Sequence, residues 1–334
     1  MTLYLVTGAA GFIGSHLSEA LVAQGDRVVG LDCFTSSYER EGKARNLRPL
    51  REHQCFELAE VDLRTDDLAS VLDGVDVVLH LAGQPGARGS WGSHFSDYIA
   101  HNVTATHRLL EAAVMAGVGR LVYASSSSVY GNGSSFPTTE AVLPRPVSPY
   151  GITKLAAEHL CAVYAANWGL HTVALRYFTV YGPRQRPDMA FHRFIEATLR
   201  GLPSHVYGSG EQRGDFTHVE DVVRASLLAT HRSVPPGSVI NVAGGARATT
   251  NQVLENIGRI MDRRPDVQRT VQRRRELVGD IDAAIADCTL ARLLLGWEPQ
   301  VDLWAGLDSQ VRWHLDSRPE RAGARGRNSA TGRG

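Results

Sequence analysis

Tyr150 and Lys154 stand four residues apart in the run YGITK, so on a helix they share one face. A phenol beside an ammonium is a candidate general base, because the positive charge stabilises the phenolate and draws the tyrosine pKa down from about 10. The spacing alone is weak, since an exposed pair on a helix surface also has it. Lysine usage adds weight: Lys43 and Lys154 are the only lysines in a chain that otherwise uses arginine. A lysine kept beside a tyrosine points to a compact ammonium that arginine's planar fork does not replace. Upstream, YASSSSVYGNG places Ser125 to Ser128 at the end of an apolar run. A serine there can hydrogen-bond a reacting hydroxyl and relay protons to Tyr150, although a serine run also serves as loop filler.

A second chemistry sits at the amino end. TGAAGFIG, Thr7 to Gly14, follows an apolar strand and leads into a helix expected over Ser15 to Gln24, the context a dinucleotide fingerprint requires. Gly8 permits the tight turn, Gly11 admits a pyrophosphate, and Gly14 lets helix and strand pack closely. Helix N-terminal amides then meet the phosphates, and Phe12 and Ile13 are expected cofactor contacts. RVVGLD ends at Asp32, about 20 residues on, where a carboxylate accepts from the adenosine ribose hydroxyls. Cys33 and Phe34 follow, with no arginine for a ribose phosphate, so the expected cofactor is NAD rather than NADP.

A third feature is FTVYGPRQRPDMAF, Phe178 to Phe191, which holds Arg184 and Arg186 in a proline-bounded loop. Two guanidiniums there suit a local anion, or are solvated loop charges.

The elements needed to position these groups are legible as periodicity. LYLVTG, RVVGLD, VDVVLHLAG and RLVYASS read as apolar strands alternating with helical stretches, which predicts an α/β fold with a doubly wound parallel (Rossmann) sheet. Residues 1–180, with a returning segment near 217–245, form the expected nucleotide-binding domain. Residues 181–216 and 246–317 form a smaller interleaved C-terminal substrate-binding domain, and the Gly/Arg/Ser-rich residues 318–334 a disordered tail. Equal acidic and basic counts of 35 each argue against a nucleic-acid footprint. The Arg273 to Arg275 run reads as a solvated or diphosphate-facing surface. No apolar run reaches membrane-spanning length. Four scattered cysteines without C-x-x-C read as reduced cytoplasmic thiols, and His53 with Cys55 is too small a set for a metal site.

With these motifs in place, the chain resembles the extended short-chain dehydrogenase/reductase superfamily, specifically its NAD-dependent nucleotide-sugar epimerases and dehydratases, from Met1 to about Leu307. The resemblance implies a catalytic set of Ser126, Tyr150 and Lys154. It also implies cofactor contacts at Asp62, Leu63, the HLAG segment with Leu81, Ala82 and Gly83, Asn102, and Tyr177 and Phe178 bordering the nicotinamide. Dehydratases of the family carry Asp-Glu where this chain has Ser127 and Ser128, and UDP-xylose-forming decarboxylases carry glutamate at the second position. RYFT at Arg176 to Thr179, the arginine loop, and GSW at Gly89 to Trp91 are similar to UDP-glucuronate 4-epimerases.

The resemblance therefore implies interconversion of UDP-glucuronate and UDP-galacturonate through a 4-keto sugar. Arg186 would hold the C6 carboxylate, aided by Thr179, Ser127 and Ser128, with Arg184 a second candidate. Alternatives are a UDP-glucuronate decarboxylase, a 4-epimerase of a neutral UDP-hexose, and an NAD-binding regulatory scaffold. Relatives place an arginine on the UDP phosphates at the position of Gly214, so the resemblance leaves two expectations: Arg213 substitutes from the neighbouring position, or Arg88 or Arg274 compensates. Tyr207 and Asp280 complete the implied substrate contacts, and Leu277 replaces a ribose-contacting arginine. A homodimer is also implied, through helices near Tyr98 to Gly117 and Tyr150 to Gly169, with apolar positions at Leu109, Leu110, Ala113, Leu155, Leu160 and Val163.

Overall fold

The computed structural model describes residues 1–36, 38–132, 136–261, 271–274 and 283–318. Leu277, Asp280 and the expected tail beyond Arg318 lie outside the described residues. Strands and helices alternate from the start: β1 (Leu3–Thr7), α1 (Phe12–Ala23), β2 (Arg27–Leu31), α2 (Arg40–Asn46), β3 (Phe56–Ala59), α3 (Ala69–Leu72), β4 (Val77–His80), α4 (Phe95–Tyr98), α5 (Ala105–Met115), β5 (Arg120–Ser126), α6 (Pro149–Trp168) and β6 (His171–Tyr177). After β7 (Val180–Tyr181), α7 (Ala190–Leu199), β8 (Ser204–Tyr207) and β9 (Arg213–His218), the chain returns through α8 (Val219–His231) and β10 (Ser238–Val242). It closes with β11 (Ala246–Thr249), α9 (Thr250–Met261), β12 (Val271–Arg274), β13 (Ala283–Ala284), α10 (Thr289–Leu295) and α11 (Leu303–Asp316).

The main sheet has seven strands in the order β10-β6-β5-β4-β1-β2-β3, and every pairing in it is parallel. Successive strand side chains face opposite ways, and here both faces are covered. Tyr4, Val6, Leu79, Val122 and Leu175 pack with α1, α8 and α10, whereas Leu5, Val78, Leu121, Tyr123 and Ala174 pack with α5 and α6. Double cover explains why these strands read as near-continuous apolar runs. The carboxyl ends of β1, β2, β4 and β5 open on one edge, where ligands of such sheets bind.

A third core of Tyr181, Phe191, Phe194, Phe216, Val253, Leu307 and Val311 builds the smaller lobe around β11-β9-β13, with β7 paired to β9. The segment 246–317 is not wholly in that lobe. Ala291, Leu295 and Trp297 join the first core, where the Trp297 indole donates to Asp221 O at 2.9 Å. An indole needs both an apolar bed and one acceptor, and α8 offers both. Among the described residues no helix is long and apolar enough to cross a membrane.

Candidate active site

Gly8, with φ +71°, ends β1 in a conformation that glycine adopts without strain. Gly14 is needed for space: a Cβ there would fall 2.2 Å from Gly8 O. Gly11 caps α1 in an extended conformation with no side-chain bond. The helix therefore begins at Phe12, three residues before the expected Ser15, and Phe12 and Ile13 line a cleft with their opening amides close to the glycine turn. The cleft, about 950 Å³, passes Asp32, Asp62, Leu63, Leu81, Ala82 and Gly83 and reaches Ala124 and Arg186. A helix N-terminus, a glycine cradle and a carboxylate at the end of β2 fit a dinucleotide.

Asp32 is 6 % exposed. Its Oδ2 accepts from Ala10 N at 3.2 Å, and its Oδ1 accepts from Phe34 N at 2.8 Å and Lys43 Nζ at 3.1 Å. Lys43 was not foreseen at this site, although its rarity is the same signal that singled out Lys154. The residues after Asp32 hold no cation, but α2 folds one back over the Phe34 and Tyr38 rings. Each nearby cation has its own carboxylate: Lys43 with Asp32, Arg64 with Asp62 at 2.6 Å, and Arg40 with Glu60 at 2.6 Å. Among the described residues around Asp32, these three cations are each neutralised, which suits NAD rather than a ribose phosphate.

Ser126 ends β5 and Tyr150 opens α6. That helix is fixed by local rules: Pro149 takes the first turn, Ser148 Oγ accepts from Gly151 N at 3.2 Å, and Gly169 at φ +71° ends it. Gly151 brings it against the serine turn, since a Cβ there would lie 2.5 Å from Ser128 O. The Ser126 side chain hydrogen-bonds the Tyr150 phenol and accepts from Ser128 N at 3.2 Å. Tyr98 meets the Tyr150 ring edge-on, with centroids 6.2 Å apart.

Lys154 is 7 % exposed, and its Nζ donates to Ala124 O at 2.8 Å below the cleft floor. One turn on, Glu158 accepts from Arg176 Nε and Nη2 at 2.9 and 2.7 Å and from the Ser125 hydroxyl. This buried pair ties α6 to β5 and β6, and removal of either partner would strand the other charge in the core.

The electrostatics differ from the simple expectation. Burial pushes the Tyr150 phenol up, while the Ser126 hydrogen bond and the Arg186 charge draw it back. Burial also pushes the Lys154 ammonium down to about 8, against the pull of Glu158. In the protein alone, Ser126 and Arg186 are thus the groups that favour the phenolate. A lysine with a lowered folded-state pKa holds fewer protons than in the unfolded chain between about 8 and its ordinary 10.5, so stability rises with pH across that window. Compared with Lys154→Met, the wild-type chain should gain about 3 kcal/mol between those limits. Denaturant unfolding at a series of pH values tests this, and parallel curves for the two proteins would refute a buried, strained ammonium.

The arginine loop divides its two charges. Arg184, at φ +64°, turns away from the cleft and pairs with Glu19 of α1 at 2.7 Å, also reaching Ser15 Oγ at 3.3 Å. It ties this loop to α1. Arg186 lines the cleft, and its Nε and Nη2 donate to Asp188 Oδ1 and Oδ2 at 3.0 and 2.9 Å. Asp188 in turn borders a second cavity of about 640 Å³, with Arg88, Arg193, His205, Tyr207 and Gln212. The pair therefore joins the two rims. Arg88 lies 4.1 Å over the Tyr207 ring centroid and Arg193 5.9 Å from it.

Several expected contacts are placed elsewhere. Arg213 is exposed at the start of β9. Gly214 presents the opposite face, where a Cβ would meet the Phe216 ring at 2.8 Å. Side-chain alternation thus prevents Arg213 from standing in for a residue at 214. Arg274 is exposed on β12 and bonds Gln272. Arg193 is the cavity arginine not foreseen; the buried Phe191, Phe194 and Ile195 of α7 leave it to the rim.

Tyr177 is turned into the first core, its hydroxyl 2.8 Å from Ser226 Oγ, and Phe178 is 1 % exposed against Tyr130. Neither side chain lines the cleft. Asn102 is a brace: its amide bonds both the N–H and the C=O of Gln84 and donates to Thr153 Oγ1 at 2.9 Å. Thr179 is exposed just beyond Phe178, and Ser127 and Ser128 are half-buried in the turn after β5.

Comparison with known proteins agrees with this architecture. The model of the NAD dependent epimerase/dehydratase family matches residues 4–243. The uncharacterized UDP-glucose epimerase YtcB of Bacillus subtilis is 42 % identical over 310 residues, 92 % of this chain and 96 % of that protein. The UDP-glucuronate 4-epimerase of Thermodesulfobacterium geofontis is 35 % identical over 327 residues, 95 % and 97 % of the two chains. The crystal structure of UDP-glucuronic acid 4-epimerase from Bacillus cereus with UDP-glucuronic acid and NAD superposes with a TM-score of 0.90 at 39 % identity, covering 94 % of this chain and 99 % of that one. Since both the family pattern and these relatives span the glycine turn, α6 and the sheet between them, the chain belongs to the NAD-dependent epimerase/dehydratase family.

Proposed function

We propose that the chain is a 4-epimerase that interconverts UDP-glucuronate and UDP-galacturonate through a 4-keto sugar. The observation that carries this reading is Arg186, a guanidinium at the cofactor cleft whose charge reaches Tyr150 and whose fork is held bidentately by the carboxylate of Asp188. A uronate C6 carboxylate has the same geometry and charge as that side chain, and Asp188 is half-exposed, so one carboxylate can replace the other. The similarity to proteins named as UDP-glucuronate 4-epimerases supports the same assignment.

In this reading Gly8, Gly11, Gly14, Asp32 and the Leu81–Gly83 segment hold NAD, which when bound supplies the hydride acceptor and, once reduced, the donor. Tyr150 removes the proton of the sugar 4-hydroxyl, with Ser126 and the Arg186 charge favouring the phenolate and Lys154 buried one turn along the same helix. Thr179, Ser127 and Ser128 assist Arg186 at the carboxylate. The diphosphate enters the second cavity beside Arg88 and Arg193. Ser127 and Ser128 offer no carboxylic acid or carboxylate for elimination.

The test is incubation of the purified protein with UDP-glucuronate and no added cofactor, with nucleotide sugars separated and carbon dioxide trapped. One UDP-glucuronate/UDP-galacturonate mixture reached from either side supports the proposal. A UDP-pentose with released carbon dioxide would make it a decarboxylase. A second reading, epimerisation of neutral UDP-glucose, is favoured by the Arg186–Asp188 pair, which is complete without a uronate, and by the name of the Bacillus subtilis relative. Turnover of UDP-glucose with none of UDP-glucuronate would select it.

The exposed apolar side chains of Ile99, Met115, Ile152, Val163 and Trp168 support a homodimer formed by α5, α6 and the turn before α5. Leu109, Leu110 and Ala113, also expected there, are fully buried against the sheet. Sedimentation as a monomer at micromolar concentration would count against the dimer. Four free cysteines support a cytoplasmic location, which fractionation of the native host checks.

A further inference from the structure

Between Arg184 and Arg186 lies Gln185, a residue with no direct role in the chemistry above. It is 2 % exposed. Its Nε2 donates to Val180 O at 3.0 Å, and its Oε1 accepts from His192 N at 2.9 Å and from Gln310 Nε2 at 2.9 Å. Gln310 belongs to α11, more than a hundred positions along the chain, and is 0 % exposed among apolar neighbours such as Leu307 and Val311. Its Oε1 accepts from Gly182 N at 3.1 Å. Backbone N–H groups can only donate, so the orientations of both amides are determined by His192 N and Gly182 N rather than by choice.

A buried glutamine on the core face of a terminal helix calls for a physical reason, because an apolar side chain of that length would pack there without needing polar partners. Both bonds of the Gln310 amide go to the loop that carries Arg186. On one flank that loop is tied to α1 through Arg184 and Glu19; on the other it is tied to α7 and α11 through Gln185. The backbone at its base is also confined, since a Cβ on Gly182 would meet Val219 Cγ1 at 2.8 Å. Within the loop, the Arg186 guanidinium is held by a half-exposed and exchangeable partner, Asp188.

We infer that Gln310 is a positioning residue for substrate recognition: with Gln185 it clasps residues 182–185 to α11 and so fixes the stem from which the Arg186 guanidinium reaches the uronate carboxylate. The inference rests on the reading of Arg186 as the carboxylate anchor. Gln310 touches neither substrate nor cofactor and acts through the loop. An arginine on a loose stem would still attract an anion, but would lose the bidentate alignment that separates a uronate from a neutral sugar.

The experiment is calorimetric titration of the NAD-loaded protein with UDP-glucuronate and with UDP, for wild type, Gln310→Met, Arg186→Ala and the double variant. Gln310→Met should weaken UDP-glucuronate about tenfold, leave UDP within about twofold, and add nothing in the Arg186→Ala background, as expected for two residues acting as one unit. Equal losses for both ligands, or a full loss that persists without Arg186, would mean that Gln310 only stabilises the lobe and would overturn the inference. If Arg186→Ala itself leaves the preference for UDP-glucuronate over UDP intact, the anchor reading falls and the clasp with it. If Arg186→Ala abolishes the preference and Gln310→Met does not alter it, the clasp alone falls. Gln185→Met breaks the same link from the loop side, should Gln310→Met fold poorly. Hydrogen exchange on the unmodified protein gives a check that needs no variant: the Gly182 amide must exchange slowly, and rapid exchange would overturn the clasp.

Discussion

Tyr150→Phe lowers kcat for UDP-glucuronate by about 10²- to 10⁴-fold, the loss expected when a positioned general base is removed, while NAD and substrate remain bound. The variant keeps the ring, and with it the edge-on contact to Tyr98. It deletes only the oxygen that Ser126 hydrogen-bonds. Burial of the phenol and the opposing pull of Ser126 and Arg186 make that oxygen a group whose protonation state its surroundings contest. Initial rates together with calorimetric binding separate the two effects: unchanged affinity with collapsed kcat assigns Tyr150 to the proton transfer. A variant that turns over within tenfold of wild type would remove Tyr150 from the base role.

Arg186→Ala raises the Kd for UDP-glucuronate by about 10- to 150-fold, corresponding to the roughly 1.5–3 kcal/mol of hydrogen bonds to a charged group. It should leave UDP affinity nearly unchanged. Asp188, left without its partner, is half-exposed and can be hydrated, so the fold should survive. A second effect follows from the chemistry of the intermediate. The 4-keto uronate is a β-keto acid: if its C5–C6 bond aligns with the ketone π-system, that bond breaks, its electrons pass into an enolate, and carbon dioxide leaves. In the proposed role, Arg186 would deny that alignment by holding the carboxylate. Trapped carbon dioxide and a 4-keto pentose should therefore increase per turnover in Arg186→Ala. If neither affinity nor carbon dioxide release changes, the arginine is a surface charge paired with its neighbour and nothing more.

The parts of the site that were legible in the sequence are those governed by short-range rules. A strand, a glycine turn and a helix in immediate succession placed the phosphate-binding amides. In the structure Ser148, Pro149 and Gly169 bound α6, so the spacing of Tyr150 and Lys154 translates directly into a shared face. Contacts that short-range rules do not fix depend on which face a strand presents or on what lies across the core. Arg213 and Gly214 are neighbours in sequence, yet alternation sends them to opposite sides of β9. Arg184 and Arg186 look equivalent in the loop, but a positive φ turns the first toward α1.

The sequence by itself determined the parallel α/β sheet, the dinucleotide turn and the shared helix face of Tyr150 and Lys154, because periodicity, glycine sterics and helix caps act within a few residues. Only the tertiary structure decided which charge answers which. Lys43 neutralises Asp32, Arg176 neutralises Glu158, Asp188 occupies the fork of Arg186, and Gln310 reaches Gln185 from the far end of the chain. A buried polar group must find a partner wherever the folded chain supplies one, and that choice is made by packing between distant segments, which local sequence does not encode.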